Sequence, residues 1–85
     1  MNAEFTALLR PYLKYAGNQE ISGDASLRDL GLDSMRAIEV LFAVEDAFGI
    51  MIPDEKLTDA TFETPIALWS VIEELRALSG AGEER

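Results

Sequence analysis

The chain has 85 residues, no cysteine, no histidine and a formal net charge of −9. This composition excludes disulfides, thiol catalysis and zinc sites built on cysteine or histidine, and it argues against nucleic acid, which is bound by clusters of Lys and Arg. The length suits one domain with a single core, and there is neither a secretory signal nor an apolar run near the roughly 20 residues of a membrane span. We expect a monomeric, cytoplasmic protein that docks on basic protein surfaces.

The first predicted helix covers residues 3–15, where apolar side chains recur at helical spacing. Asn2 is a suitable N-cap for it. Pro11 lies inside the pattern, where a proline removes a backbone donor and costs about 3 kcal/mol. We therefore expect a kink or break near Leu9 or Arg10.

Helical periodicity lapses from residue 16 to residue 33, where glycines and turn-forming side chains recur. Apolar residues are nevertheless spaced through this long first loop at Ile21, Leu27, Leu30 and Leu32. Long loops in compact domains tend to be functional or disordered, and these apolar anchors favour the first case. We predict an ordered connector that packs onto the core.

The clearest helical pattern runs from Ser34 to Phe48 and stops at Gly49. Its apolar face is predicted to consist of Ala37, Leu41, Val44 and Phe48, with Ile38 and Phe42 beside them. The opposite face is predicted to be polar and mostly acidic, with Arg36, Glu39, Ala43 and Asp46 flanked by Met35 and Glu45.

The remaining sequence predicts a short helix and a long one. Asp54 is a candidate cap for a brief helix over residues 54–58, and Thr64 followed by Pro65 is typical of a helix start. The last helix carries an apolar stripe of Leu68, Val71, Ile72, Leu75 and Leu78, with Ile66 and Trp69 at its edge. We expect a domain over 1–78 and a disordered tail over 79–85. The predicted fold is all-α, a small four-helix bundle of three main helices and one short helix.

Ser34 is either a helix cap or a group that another protein modifies. A serine nucleophile normally needs an adjacent base, most often histidine, so a chain without histidine cannot activate Ser34 by itself. Asp33 can supply the cap instead. The N-terminus of a helix favours an attached phosphate, because its free amides and dipole attract negative charge. The Asp33 carboxylate would repel that phosphate. Asp33 beside an acceptor serine makes more sense if it helps a modifying enzyme to hold a divalent ion.

Two other classes fail on the residues present. A calcium loop ending at Glu39 would place Arg28 at its first position and Asp33 where glycine is required. A serine hydrolase would lack its base. A hydrolase that uses a pair of carboxylates would need a cleft, which a chain of this size hardly provides. An acidic adaptor that docks without being modified stays open.

The segment Gly31-Leu32-Asp33-Ser34-Met35, after Leu27-Arg28-Asp29-Leu30, resembles the attachment site of acyl carrier proteins. In that family the serine after Gly-x-Asp bears a 4′-phosphopantetheine arm. The resemblance covers about residues 5–78 and includes Glu39, Val44-Glu45-Asp46, Phe48-Gly49 and Ile52-Pro53-Asp54-Glu55.

The resemblance implies that a separate phosphopantetheinyl transferase attaches the arm of coenzyme A to Ser34. Gly31 and Asp33 are the supporting residues of the motif. The resemblance also implies a chain that has neither catalytic activity nor a bound metal. Because the arm ends in a thiol, a chain without cysteine can carry cargo as a thioester. An acyl- or aminoacyl-loading ligase and downstream acyltransferase, condensation or synthase enzymes are the implied partners. The implied recognition face is Met35, Arg36, Glu39, Ala43, Glu45 and Asp46. The implied cargo-sheltering residues are Ile38, Leu41, Val44, Ile52, Leu57 and Phe62.

Differences from the usual sequences of fatty-acid carriers indicate which kind of carrier this chain is expected to be. Met35 and Arg36 stand where fatty-acid carriers usually have leucine and an acidic residue, and such a charge reversal alters partner choice. Asp33 favours an acyl carrier over a peptidyl one, whereas Met35, Phe48-Gly49 and Glu63-Thr64-Pro65 are also similar to D-alanyl carrier proteins. We expect a discrete carrier in a specialised natural-product, lipid or lipopeptide pathway. The alternatives are a D-alanyl, other aminoacyl or peptidyl carrier and, more remotely, the unmodified adaptor.

Overall fold

The computed structural model describes residues 2–17 and 19–83, and this part of the chain is all-helical. It contains three α-helices, α1 (Ala3–Leu9), α2 (Ser34–Phe48) and α3 (Pro65–Glu83). Arg10–Tyr12 and Asp54–Lys56 form single turns of 3₁₀ helix, and no residue of the described ranges forms a strand. The predicted all-α class is confirmed, with the fourth helix reduced to one 3₁₀ turn.

Helix α1 begins and ends for the reasons that its sequence predicts. The Asn2 side chain accepts hydrogen bonds from the amides of Glu4 and Phe5, at 2.7 and 3.1 Å. The α-helix ends at Leu9 and tightens into 3₁₀ geometry around Pro11, which cannot donate to the helical ladder. The predicted break is confirmed, and the α-helical part is shorter than the predicted 3–15.

The long loop is an ordered connector, as predicted. Its apolar anchors Ile21, Leu27 and Leu32 are buried and Leu30 is half-buried. The Tyr15 amide donates to the Leu30 carbonyl at 2.9 Å, and the Leu27 amide donates to the Glu63 carbonyl at 3.0 Å. These bonds fix the loop both to the turn that follows the first 3₁₀ helix and to the segment before α3.

Helix α2 has the predicted bounds, but its buried face is rotated from the predicted one. Val40 and Val44 are fully buried, while Ala37, Leu41 and Phe48 are half-buried. The expectation that Ile38 and Phe42 lie beside the core is wrong, because 55% and 62% of these residues' surface is exposed. The other elements cover only the face centred on Val40 and Val44, which are spaced to share one side of a helix.

The C-terminal helix turns its largest side chain inward. Trp69, predicted at the edge of the stripe, is only 7% exposed, and its ring centroid lies 5.1 Å from that of Phe5 and 5.6 Å from that of Phe48. The predicted place of Leu78 in the apolar stripe is wrong, since this side chain is 67% exposed. Residues 76–78 are all exposed, so α3 has passed the core at that point.

The short helix over 54–58 is a 3₁₀ turn that ends at Lys56, and the predicted Asp54 cap is wrong because Pro53 precedes the turn without a side-chain cap. Threonine side chains compete with helical hydrogen bonding here. The Thr61 hydroxyl donates to the Lys56 carbonyl at 2.6 Å, and the Thr61 amide donates to Thr58 Oγ1 at 3.2 Å. The helix start at Thr64 is confirmed, because Thr64 Oγ1 accepts from the Ala67 amide at 3.2 Å.

Helix α3 is described as far as Glu83, and the disordered tail over 79–85 stays a prediction. Residues 84 and 85 lie outside the described residues.

Candidate functional site

Ser34 is the first residue of α2, and its side chain is exposed. The capping hydrogen bond belongs to Asp33, whose Oδ1 accepts from the Arg36 amide at 2.8 Å. Arg36 Nε also lies 4.0 Å from Asp33 Oδ2. None of the side-chain hydrogen bonds in the described part of the chain involves Ser34. The hydroxyl is therefore presented to solvent without a structural task, as an attachment point requires.

Gly31 shapes the turn that delivers Ser34. Its φ is +110°, a conformation that L side chains rarely adopt. A Cβ at this position would also lie 2.8 Å from Lys14 Cγ and 2.9 Å from the Lys14 backbone nitrogen. Glycine is therefore required at this position for two reasons, which are its positive φ angle and the close approach of Lys14.

Replacing Gly31 with alanine should lower the free energy of unfolding by about 1–3 kcal/mol, because the backbone strain adds to a clash with the Lys14 backbone. Urea denaturation followed by circular dichroism measures the change. Gly49→Ala is the matched control, since Gly49 has a φ of +65° but nothing within 4 Å of an added Cβ. An equal loss in both variants would contradict the role of the Lys14 contact.

A surface hollow of about 810 Å³ lies beside Ser34. Its wall is formed by the start of α2, by parts of the turn before it (residues 26–33, here called the motif turn), by Lys14 and Tyr15, and by residues 59, 60, 62 and 63. Of the six predicted cargo-sheltering residues, only Phe62 is among those that line it. Val44 and Ile52 lie buried in the core, Leu41 and Leu57 are half-buried, and Ile38 is exposed. The structure therefore does not gather these six residues around this hollow.

The predicted recognition residues lie on the outer side of α2 with different degrees of exposure. Met35, Glu39 and Asp46 are exposed, whereas Arg36, Ala43 and Glu45 are half-buried. Glu45 has a local partner, because its Oε2 accepts from the Ile52 amide at 2.8 Å. This hydrogen bond attaches the segment that follows α2 to the helix, a structural role that the sequence did not indicate.

Sequence reasoning placed Met35 on this surface but missed its other apolar residues, Ile38 and Phe42. Met35, Ile38 and Phe42 are spaced at i, i+3 and i+7, so they form one row along the helix, and all three are more than half exposed. That spacing was the available signal. We call the row, together with the exposed carboxylates of Glu39 and Asp46, the docking face.

Within residues 2–17 and 19–83, no group of three or more acidic, histidine or cysteine side chains is placed to hold a metal ion. None of the helices in the same ranges combines the length and the hydropathy that crossing a membrane requires.

Comparisons with known proteins agree with this geometry. The family model described as "Phosphopantetheine attachment site" matches residues 3–68. Acyl carrier protein 2, chloroplastic, of Hordeum vulgare is 33% identical over 57 residues, which are 66% of this chain and 44% of that protein. The chain therefore matches less than half the length of this relative.

Two solved structures contain chains with a similar fold. One comes from an engineered Bradyrhizobium japonicum glycine:[carrier protein] ligase complexed with carrier protein from Agrobacterium tumefaciens and AMP. The matched chain there has a TM-score of 0.75 and 26% identity, with 86% of this chain and 99% of that chain covered. The other comes from the Bradyrhizobium japonicum ligase complexed with glycylated carrier protein, with a TM-score of 0.65, 22% identity and coverage of 82% and 99%. The second likeness shows the fold alone.

Proposed function

This chain belongs to the phosphopantetheine-attachment family of acyl carrier proteins, and we propose that its prosthetic group is attached at Ser34. The observation that carries the assignment is the exposed Ser34 hydroxyl. It does not cap α2, because Asp33 forms the capping hydrogen bond. When attached, 4′-phosphopantetheine supplies a terminal thiol that holds cargo as a thioester. The residues present fit the group, because Ser34 faces an open hollow that could receive an arm.

In this proposal the chain presents and positions Ser34, and a separate transferase performs the chemistry. A phosphodiester forms at Ser34 Oγ from the pantetheine phosphate of coenzyme A, and adenosine 3′,5′-bisphosphate leaves. We assign the hydroxyl proton to a base of the transferase, because the chain contains no histidine and the neighbouring Asp33 carboxylate caps α2 by accepting from the Arg36 amide. Asp33 then has two tasks, which are to hold the first turn of α2 and to face the transferase beside the acceptor oxygen.

The test is an intact-mass measurement after incubation with coenzyme A, Mg²⁺ and a broad-specificity phosphopantetheinyl transferase. We expect the chain to gain the mass of one phosphopantetheinyl group. An unchanged mass under conditions that load a known carrier would contradict the proposal and favour the unmodified adaptor.

We propose that the cargo is an acyl or aminoacyl group in a specialised pathway. The aminoacyl candidate has specific support, because the first structural neighbour comes from a complex with a glycine:[carrier protein] ligase and has 26% identity with this chain. The phosphopantetheinylated chain can be incubated with glycine, ATP and the Bradyrhizobium japonicum ligase. A gain of one glycyl mass supports aminoacyl cargo. No gain, while the Agrobacterium tumefaciens carrier is loaded in parallel, shows that this ligase does not load the chain and removes the specific support for glycyl cargo.

We further propose that partner enzymes bind the docking face, with Arg36, Ala43 and Glu45 at its margin. Its apolar row is bordered by carboxylates, so a complementary enzyme surface would pair an apolar patch with basic residues. The predicted cargo-sheltering role of Ile38 is less consistent with its 55% exposure than a place on this face.

Phe42→Gln tests the docking face. Because Phe42 is 62% exposed, its loss should change stability little, while removal of a central apolar contact should raise the KM of the transferase for the carrier by about fivefold or more. The kcat should change much less. Ile66→Gln is the control, since Ile66 is an exposed apolar residue of α3. Equal KM values for Phe42→Gln and the unaltered chain would remove Phe42 from the face.

A further inference from the structure

Two cations border the hollow beside Ser34 without an ion-pair partner in residues 2–17 and 19–83. They are Lys14 and Arg28. Of the other basic side chains of these ranges, Arg10 donates to backbone carbonyls, Arg36 pairs with Asp33 and Lys56 pairs with Glu74. Arg76, like Lys14, lies over aromatic rings, but it is not among the residues that line the hollow. In a chain with a net charge of −9, Lys14 and Arg28 are the side chains of this hollow that can attract a negatively charged group.

The turn around Gly31 brings the backbones of both basic residues to the hollow. Lys14 passes over Gly31 so closely that a Cβ there would lie 2.8 Å from Lys14 Cγ, and its Nζ lies 5.3 Å from the centroid of the Tyr15 ring. Arg28 belongs to the turn itself, since its carbonyl accepts from the Gly31 amide at 3.0 Å. The same glycine that shapes the attachment motif therefore also admits Lys14 to the hollow.

A negatively charged group in this hollow would also be repelled by nearby carboxylates. Asp33, Asp59 and Glu63 line the hollow together with the two cations. A phosphodiester at Ser34 would add a further negative charge to this wall. Lys14 and Arg28 are the cationic side chains of the wall and can offset that repulsion, as can the N-terminus of α2. Charge-assisted contacts to a phosphate are the stronger kind of hydrogen bond.

We infer that Lys14 and Arg28 hold the phosphate end of the prosthetic arm against this hollow. The remainder of the arm then lies along the exposed ring of Tyr15 and the half-buried ring of Phe62, which also line it. Lys14 and Arg28 are positioning residues in this inference. The inference rests on attachment at Ser34, and it adds where the arm lies after attachment.

The test compares ¹H–¹⁵N spectra of the chain before and after enzymatic attachment of the arm, with the added mass confirmed first. We expect amide shifts at Tyr15 and Phe62 in addition to those of the residues adjoining Ser34. These distant shifts should be lost in the double variant Lys14→Gln, Arg28→Gln, and they should weaken in high salt because screening reduces the attraction. Lys56→Gln is the control, since Lys56 pairs with Glu74 instead.

The outcomes separate this inference from the proposed function. No added mass contradicts attachment itself. Added mass without shifts at Tyr15 and Phe62, or with shifts that persist in the double variant, overturns the role of the two cations and leaves attachment at Ser34 standing. The spectra of the unmodified variants show independently that each variant folds.

Discussion

Replacing Ser34 with alanine should abolish phosphopantetheinylation while leaving the fold unchanged. Ser34 is exposed, Asp33 supplies the cap of α2, and alanine is well tolerated in a first helical turn. The free energy of unfolding should therefore change by no more than about 0.5 kcal/mol. Intact mass after the transferase reaction measures the first effect, and a urea transition followed by circular dichroism measures the second.

Ser26→Ala is the matched control for this prediction. Ser26 lines the same hollow, and its Oγ accepts from the Asp29 amide at 3.2 Å. The Ser26 variant should still gain one phosphopantetheinyl group. Retention of the added mass in Ser34→Ala, or its loss only in Ser26→Ala, would place the attachment elsewhere. The circular dichroism spectra distinguish a folded variant that cannot be loaded from an unfolded one.

Replacing Trp69 with alanine should lower the free energy of unfolding by about 3–5 kcal/mol. The indole is buried, it packs between Phe5 of α1 and Phe48 of α2, and the Arg76 guanidinium carbon lies 5.9 Å from its ring centroid. The substitution removes all of these contacts and opens a cavity where three helices meet. A loss of this size is a large part of the stability of an ordinary small domain.

The midpoint of a urea transition, followed by circular dichroism because the chain has no other tryptophan, measures this effect. Ile66→Ala is the control, because Ile66 lies on the same helix and is 46% exposed. It should lose much less stability than Trp69→Ala. Similar losses in the two variants would contradict the central position of Trp69 in the core.

Local signals in the sequence predicted the helix ends that depend on neighbouring residues. Asn2, Asp33 and Thr64 cap helices with their own side chains, and each bond closes within three residues. The break before Pro11 follows from the missing amide of proline. Such features need no knowledge of the rest of the fold, so the bounds of α2 and the start of α3 could be predicted.

The direction that each helix faces could not be predicted in the same way. Apolar residues cover more of α2 than the core can bury, so the pattern alone did not distinguish Val40, which is buried, from Phe42, which is exposed. Which side is covered depends on where α1, the connector and α3 pack. The inward position of Trp69 has the same cause, since its partners Phe5 and Phe48 are distant in sequence.

The candidate site was predictable where a short motif defines it and unpredictable where it depends on tertiary contacts. Gly31, Asp33 and Ser34 lie in one turn, and the structure gives the glycine and the aspartate separate geometric tasks. The hollow beside Ser34 combines residues 14 and 15, the motif turn and residues 59, 60, 62 and 63. These segments are far apart in the sequence, so neither Lys14 nor Arg28 stood out before the fold was known.

Attachment at Ser34 is tested most directly by tandem mass spectrometry of peptides from the transferase-treated chain. The account predicts that fragment ions place one phosphopantetheinyl group on Ser34, in the peptide that also contains Asp33 and Met35. A group located on Ser26 or on any other residue, or an unmodified Ser34 peptide from a sample whose control carrier is fully loaded, would contradict it.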